Sequence, residues 1–211
     1  MSKKQKILII AAVAIVVIVA VILIVTLTGK TAKHDKNLDL SDISSMTYDS
    51  DMPQIIYADK EKVYIADSQF GFVIYDMTQK KVVDRCTYDE MNGICKDVGV
   101  LEAMTTNDGK HIYFGERLVG LSWEYNTKSQ KYKSIRKLSD DIYIPTAIAA
   151  GYNSDYDQYF DLSYTISDTI GVLDDSFVYL RIDSEGNLGN LQLVRCYNDK
   201  DNQDVMDLFK Q

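Results

Sequence analysis

The sequence predicts an all-β domain preceded by one transmembrane α-helix. Three observations predict it. An uncharged apolar run lies near the start, a strand-and-turn phrase recurs three times further on, and hardly any helical periodicity separates the copies.

The apolar run comes first. Residues 7–27 hold no charge, no Gly and no Pro, and their only hydroxyl is Thr26. At 1.5 Å per residue such a helix spans about 31 Å, close to the hydrocarbon thickness of a bilayer. Lipid admits this run only as a helix, because each backbone donor and acceptor must be satisfied within the segment. The run exceeds the apolar core of a cleaved signal peptide, and the small residues beyond it, Thr31 and Ala32, lie among lysines. The expectation is an uncleaved single-pass anchor in the cell membrane, with residues 1–6 as a short cytoplasmic tail and the remainder extracytoplasmic. Lysines flank both ends of the run (Lys3, Lys4 and Lys6; Lys30, Lys33 and Lys36), so the charge contrast that sets orientation is shallow. Residues 28–53 are polar and weakly patterned and read as a flexible stalk. Residues 54–211 then form the extracytoplasmic β domain.

Charge narrows the partners. The chain has 23 basic and 31 acidic residues, and its net charge is -8. Six of the basic residues but only one acid, Asp35, fall within the first 36 positions, so the outer domain is strongly acidic. Such a surface repels phosphate backbones and excludes nucleic acid as a partner.

The repeated phrase is an Asp, three residues, Val or Ile, Tyr and an apolar residue. It reads Asp59 with Val63-Tyr64-Ile65, Asp108 with Ile112-Tyr113-Phe114, and Asp174 with Val178-Tyr179-Leu180. Asp suits the turn because its carboxylate can accept bonds from amides two residues on. The β-branched and aromatic residues that follow suit a half-buried strand. A glycine stands eight residues after the Val or Ile in every copy: Gly71, Gly120 and Gly186. The first copy divides into strands at 55–58, 62–66, 72–76 and 81–85, and the second at 101–105, 111–115, 121–125 and 131–135. Four antiparallel strands joined by tight turns make a meander sheet.

Two stretches, Asp108-Gly109-Lys110-His111-Ile112-Tyr113 and Val73-Ile74-Tyr75-Asp76-Met77-Thr78, resemble the blade repeats of bacterial YVTN- and PQQ-type β-propellers. The resemblance covers some 120 residues and implies binding or scaffolding more than catalysis. The chain departs from a full propeller in length, since blades take about 40–45 residues and residues 54–211 hold four at most. Spacing also breaks, because residues 126–173 are longer than the matching stretch between the first two copies. A four-bladed propeller, a partial one, and a rolled sheet or sandwich all stand as alternatives.

The inserted stretch after the second copy carries the candidate sites. Asn153, Asp155, Asp157 and Asp161 fall at relative positions 1, 3, 5 and 9 of a calcium loop. The glycine and the bidentate Glu such a loop requires are replaced by Gln158 and Tyr164, so a solvated acidic hairpin competes with a calcium site. Tyr152, Tyr156, Tyr159 and Tyr164 offer a binding edge, since Tyr brings contact area at low entropic cost. Cys86 and Cys95 bracket a loop that a disulfide could close, against buried free thiols as the alternative. With only His34, in the stalk, and His111, at a strand start, a histidine-based metal centre or nucleophilic triad is hard to build. The tail 201–211 places Val205, Met206, Leu208 and Phe209 on one face of a short helix.

Together these features describe a membrane-anchored binding or scaffolding module for a protein or cell-envelope partner, without chemistry of its own. The bilayer is its first partner, through residues 7–27. The alternatives are an extracytoplasmic hydrolase with converging carboxylates, a calcium-binding surface domain, and a sensor that passes a signal through the helix.

Overall fold

The computed structural model describes residue 34 and residues 38–48, 51–95, 101–116, 120–148, 155–197, 199 and 201–210. The expected tail (1–6) and anchor (7–27) lie outside the described residues. Among those described, no helix is long and apolar enough to cross a membrane.

The described residues are mostly strand, in three antiparallel sheets, none of them closed. The first sheet is the meander β1 (Gln54–Ala58), β2 (Lys62–Asp67), β3 (Gly71–Asp76) and β4 (Lys81–Cys86). The second comprises β5 (Leu101–Thr106), β6 (His111–Glu116), β7 (Gly120–Asn126) and β8 (Lys131–Ser134), with the short β9 (Ile142–Tyr143) added beside β5. The third comprises β11 (Thr165–Val172), β12 (Phe177–Ile182), β13 (Gln192–Cys196) and β14 (Gln203–Asp207), with β10 (Thr146–Ala147) added beside β11. All eight strands expected from the first two copies form, with ends shifted by a single residue at most.

Turn chemistry explains that agreement. The Asp59 carboxylate accepts the amides of Glu61 and Lys62 at 2.7 Å, and Asp108 accepts that of Lys110 at 3.0 Å. At the next turn Asp76 accepts the Gln79 amide at 2.8 Å, and its counterpart Asn126 accepts that of Ser129 at 2.7 Å. Four residues on from each, Lys80 and Gln130 adopt matching positive φ of 52° and 53°. The three repeated glycines also share positive φ: Gly71 and Gly120 open the third strand of their meanders, and Gly186 lies in the link that leads to the third strand of its own.

The first sheet is the middle layer. Val63, Ile65, Val73 and Tyr75 face the third sheet, where Val178, Leu180, Ile182 and Leu193 complete one core. From the opposite face Tyr64, Phe72, Ile74 and Cys86 meet Ile112, Phe114, Tyr125 and Tyr132 of the second sheet. Burial on both faces explains why β1 to β3 read as almost unbroken apolar runs. A register shift between Ile55 and Tyr57 turns both Ile56 and Tyr57 toward the second sheet. Strand β1 lies beside β5 and β11. Its backbone is bonded by their hydroxyls: Thr169 accepts the Ile55 amide (2.9 Å), and Thr105 donates to the Ile56 carbonyl (2.9 Å).

The layer order, second–first–third, accounts for the broken spacing. After β8 the chain must cross from one side of the first sheet to the other. The residues from 135 to 164 make that crossing, laying β9 and β10 against the flanking sheets on the way.

Three expectations are corrected. Tail residues 203–207 form strand β14, not a helix: they pair antiparallel with β13, the buried Met206 opposite Leu193. The stretch between Cys86 and Cys95, read as a loop, is helix α1 (Tyr88–Cys95), with Thr87 Oγ1 accepting the Glu90 amide at 3.0 Å. The described part of the segment read as a flexible stalk is packed. Leu40, Ile43 and Met52 are buried in the core with the third sheet, and Met46 and Tyr48 exchange backbone bonds with Gly186 and Leu188.

Candidate functional site

The inserted stretch uses its aromatics to close the outer face of the third sheet. Tyr156 and Tyr159 pack edge-on to Phe177 with ring centroids 4.9 and 5.5 Å away, and Phe160 packs on Tyr179 at 4.9 Å. Tyr164 lies beneath the Arg181 guanidinium, 4.1 Å from its ring centre. These tyrosines are half-buried, and Tyr152 lies outside the described residues. What projects instead is Leu162, 86% exposed, together with Ile144, 83% exposed, ahead of β10.

The acids of the calcium reading do not converge among the described residues, and Asn153 lies outside them. Asp161 Oδ1 accepts the Ser163 amide (3.0 Å) and hydroxyl (2.7 Å), the bonds of a polar turn. Cys86 and Cys196 are unbridged, fully buried thiols, and the Cys95 side chain of the expected bridge lies outside the described residues. The two strands they end are not equivalent, since β4 is the fourth strand of its meander and β13 the third of its own.

The densest group of reactive side chains is one that sequence reasoning passed over. It centres on His34, which is buried between the first two sheets. Its amide donates to the Gln130 carbonyl at 3.1 Å, tying it to the β7–β8 turn. Its Nε2 lies 2.9 Å from Asp84 Oδ1, and its Nδ1 lies 2.9 and 3.1 Å from the two Glu90 carboxylate oxygens. Cys86 Sγ is 3.8 Å from the same Nδ1. Asp84 also accepts the Tyr125 hydroxyl at 2.7 Å and the Arg85 amide at 3.0 Å. The Tyr132 hydroxyl is buried near Cys86 and Glu90.

Local structure sets these positions. Asp84 and Cys86 alternate on β4 and so share a face, which the next strand residue, Arg85, leaves. The first turn of α1 then swings Glu90 back over the end of β4. Arg85 reaches the other way, donating to the Asp39 carbonyl and pairing with Asp42 at 2.5 Å. Consecutive residues of β4 therefore grip the N-terminal segment at two places, His34 and Asp39–Asp42.

Electrostatics follow from burial and pairing. Burial pushes the His34 imidazole down, but its bonds to Asp84, Cys86 and Glu90 outweigh this and raise it to about 12. Asp84 is pushed up by burial, yet the bonds from His34 and Tyr125 hold it below the usual carboxylate range. Burial raises the Cys86 thiol to about 12 and drives Tyr125 and Tyr132 far above the ordinary phenol value. Contact with Asp84 and Glu90 thus favours the protonated form of the His34 imidazole.

The sequence held one signal for this site: in Asp84-Arg85-Cys86 two charges follow the apolar pair Val82-Val83 of a strand, and buried charges require partners. The partners lie some fifty positions away, beyond the reach of any short motif. Comparison of the chain with protein-family models, with curated proteins and with solved structures gives no match.

Proposed function

We propose that this chain is a membrane-anchored extracytoplasmic binding or scaffolding module for a protein or cell-envelope partner, built from blade-like sheets. The observation that carries the reading is the pair of exposed apolar side chains, Ile144 and Leu162, in the links that precede β10 and β11. The inserted stretch hides its rings against the third sheet while presenting these aliphatic groups to solvent. Contact with another macromolecule would remove these two aliphatic side chains from water. The repeating unit supports the propeller resemblance, whereas the layer order, with the first copy in the middle, departs from consecutive blades. We therefore take the likeness to lie in the sheet unit and not in a closed ring.

The gripped N-terminal segment supports close tethering. His34 is seven residues beyond Leu27, a reach of about 25 Å at full extension. The domain then sits next to its anchor instead of swinging on a long stalk.

The test uses the full chain in its own membrane. Crosslinking should recover a defined partner with the wild-type chain and lose it with Ile144→Asp and Leu162→Asp, while turnover of generic ester, glycoside or peptide substrates would favour the hydrolase alternative. A mature chain found in the aqueous fraction, beginning beyond Thr28, would overturn the tethered reading.

A further inference from the structure

We propose that His34, Cys86 and Glu90 form a zinc site that fastens the N-terminal segment to β4 and α1. Their ligating atoms, His34 Nδ1, Cys86 Sγ and a Glu90 oxygen, lie within 4.8 Å of one another. A tetrahedral ion with bonds of about 2.0–2.1 Å to nitrogen and oxygen and about 2.3 Å to sulfur places its donors roughly 3.3–3.6 Å apart. The observed separations are 3.8 Å from Nδ1 to sulfur and 2.9 Å from Nδ1 to Glu90 Oε1, so small side-chain adjustments admit the ion.

Three further observations favour a metal over a chance cluster. First, His34 Nε2 is bonded to Asp84 Oδ1, which leaves Nδ1 as the coordinating nitrogen; metal-bound histidines are oriented in this way by a carboxylate. Second, the Asp84 carboxylate is itself held, by Tyr125 and the Arg85 amide. Third, the buried Tyr132 hydroxyl, near Cys86 and Glu90, has no well-formed hydrogen bond among the described residues, an arrangement that costs stability.

The donor set selects the ion. Imidazole and thiolate suit zinc, whereas calcium and magnesium require oxygen ligands. The ligating forms are the thiolate and an unprotonated imidazole nitrogen, so binding releases protons. The rings of Tyr125, Tyr132 and Phe72 surround it, which limits access of water.

The experiment takes the full-length chain in detergent, strips it with a chelator and dialyses it against zinc. One ion per chain is expected. Cobalt in its place should give thiolate-to-metal absorption in the near ultraviolet. Cys86→Ser and Glu90→Gln should weaken binding by at least about 100-fold, Asp84→Asn by about 10–100-fold, and Cys196→Ser not at all. If the Cys86 or Glu90 variants fail to fold, the cobalt spectrum of the wild-type chain decides. A folded wild-type chain that retains no zinc and shows no thiolate band overturns the proposal, as does binding that survives unchanged in folded Cys86→Ser.

Discussion

Gly71 and Gly120 open the third strands of neighbouring meanders with nearly the same backbone, φ of +92° and +93°, yet stand in opposite surroundings. A Cβ on Gly71 would fall 2.1 Å from the Cys86 carbonyl oxygen and 2.9 Å from the Tyr88 nitrogen, whereas one on Gly120 would meet nothing within 4 Å among the described residues. Both positions penalise a side chain through φ, by about 1 kcal/mol. Gly71→Ala adds a backbone collision and should cost about 3 kcal/mol or more, while Gly120→Ala should cost about 1 kcal/mol. Urea denaturation of the two variants, side by side, measures the difference. Equal losses would mean that the repeat, and not the packing at the β4–α1 junction, sets the requirement for glycine.

Two tyrosines of the His34 cluster differ only in what their hydroxyls meet. Tyr125→Phe removes a 2.7 Å bond to the Asp84 carboxylate and should destabilise the metal-free chain by about 1.5–3 kcal/mol. Tyr132→Phe removes a buried hydroxyl that has no partner, and should leave metal-free stability unchanged or raise it. Melting in the presence of a chelator tests both, at roughly 2–4 °C per kcal/mol for a domain of this size.

Asp67 ends β2 with its carboxylate buried, accepting the Gln69 amide at 2.7 Å and the Phe70 amide at 3.4 Å. Burial raises its pKa above the ordinary 3.8 despite those bonds, and the nearby Asp51 adds to the rise. An acid raised in the folded state stabilises the fold most below its unfolded pKa, and that contribution is lost as pH climbs through the folded value. Asp67→Asn keeps an oxygen for the turn and removes the buried charge. It should raise Tm by a few degrees at pH 7, and the gain should shrink to nothing as pH falls below about 4. A pH series of melting curves for both chains checks the sign.

Phe160 covers Phe177 and Tyr179 on the outer face of the third sheet. Phe160→Ala should cost about 3 kcal/mol and uncover an apolar patch that binds a hydrophobic dye in the native state. Loss of stability without dye binding would indicate that Tyr156 and Tyr159 close over the gap.

The strands of the first two copies were legible because strand and turn signals are local. Asp59, Asp76 and Asp108 each bond amides within three residues, and each apolar run is bounded by such a turn. The tail was misread because Val205, Met206, Leu208 and Phe209 fit a helical stripe as well as a strand, and only pairing with β13 through Leu193 and Met206 decides between them. Helix α1 was hidden for a related reason: eight residues are too few for periodicity to declare itself. The His34 cluster was illegible because its members are joined by the stacking of two sheets. A polar segment with one histidine reads as tether until the fold presents it with the buried Asp84 and the half-buried Glu90.

That grip at His34 has a mechanical consequence. A pull delivered along the N-terminal segment meets the Gln130 carbonyl and the carboxylates of β4 and α1 before it reaches the segment at 38–48. Load therefore enters where two layers join, by shear across several bonds at once, and not by peeling one terminal strand. The stack turns with whatever holds its leading end, as a lever fixed at its base.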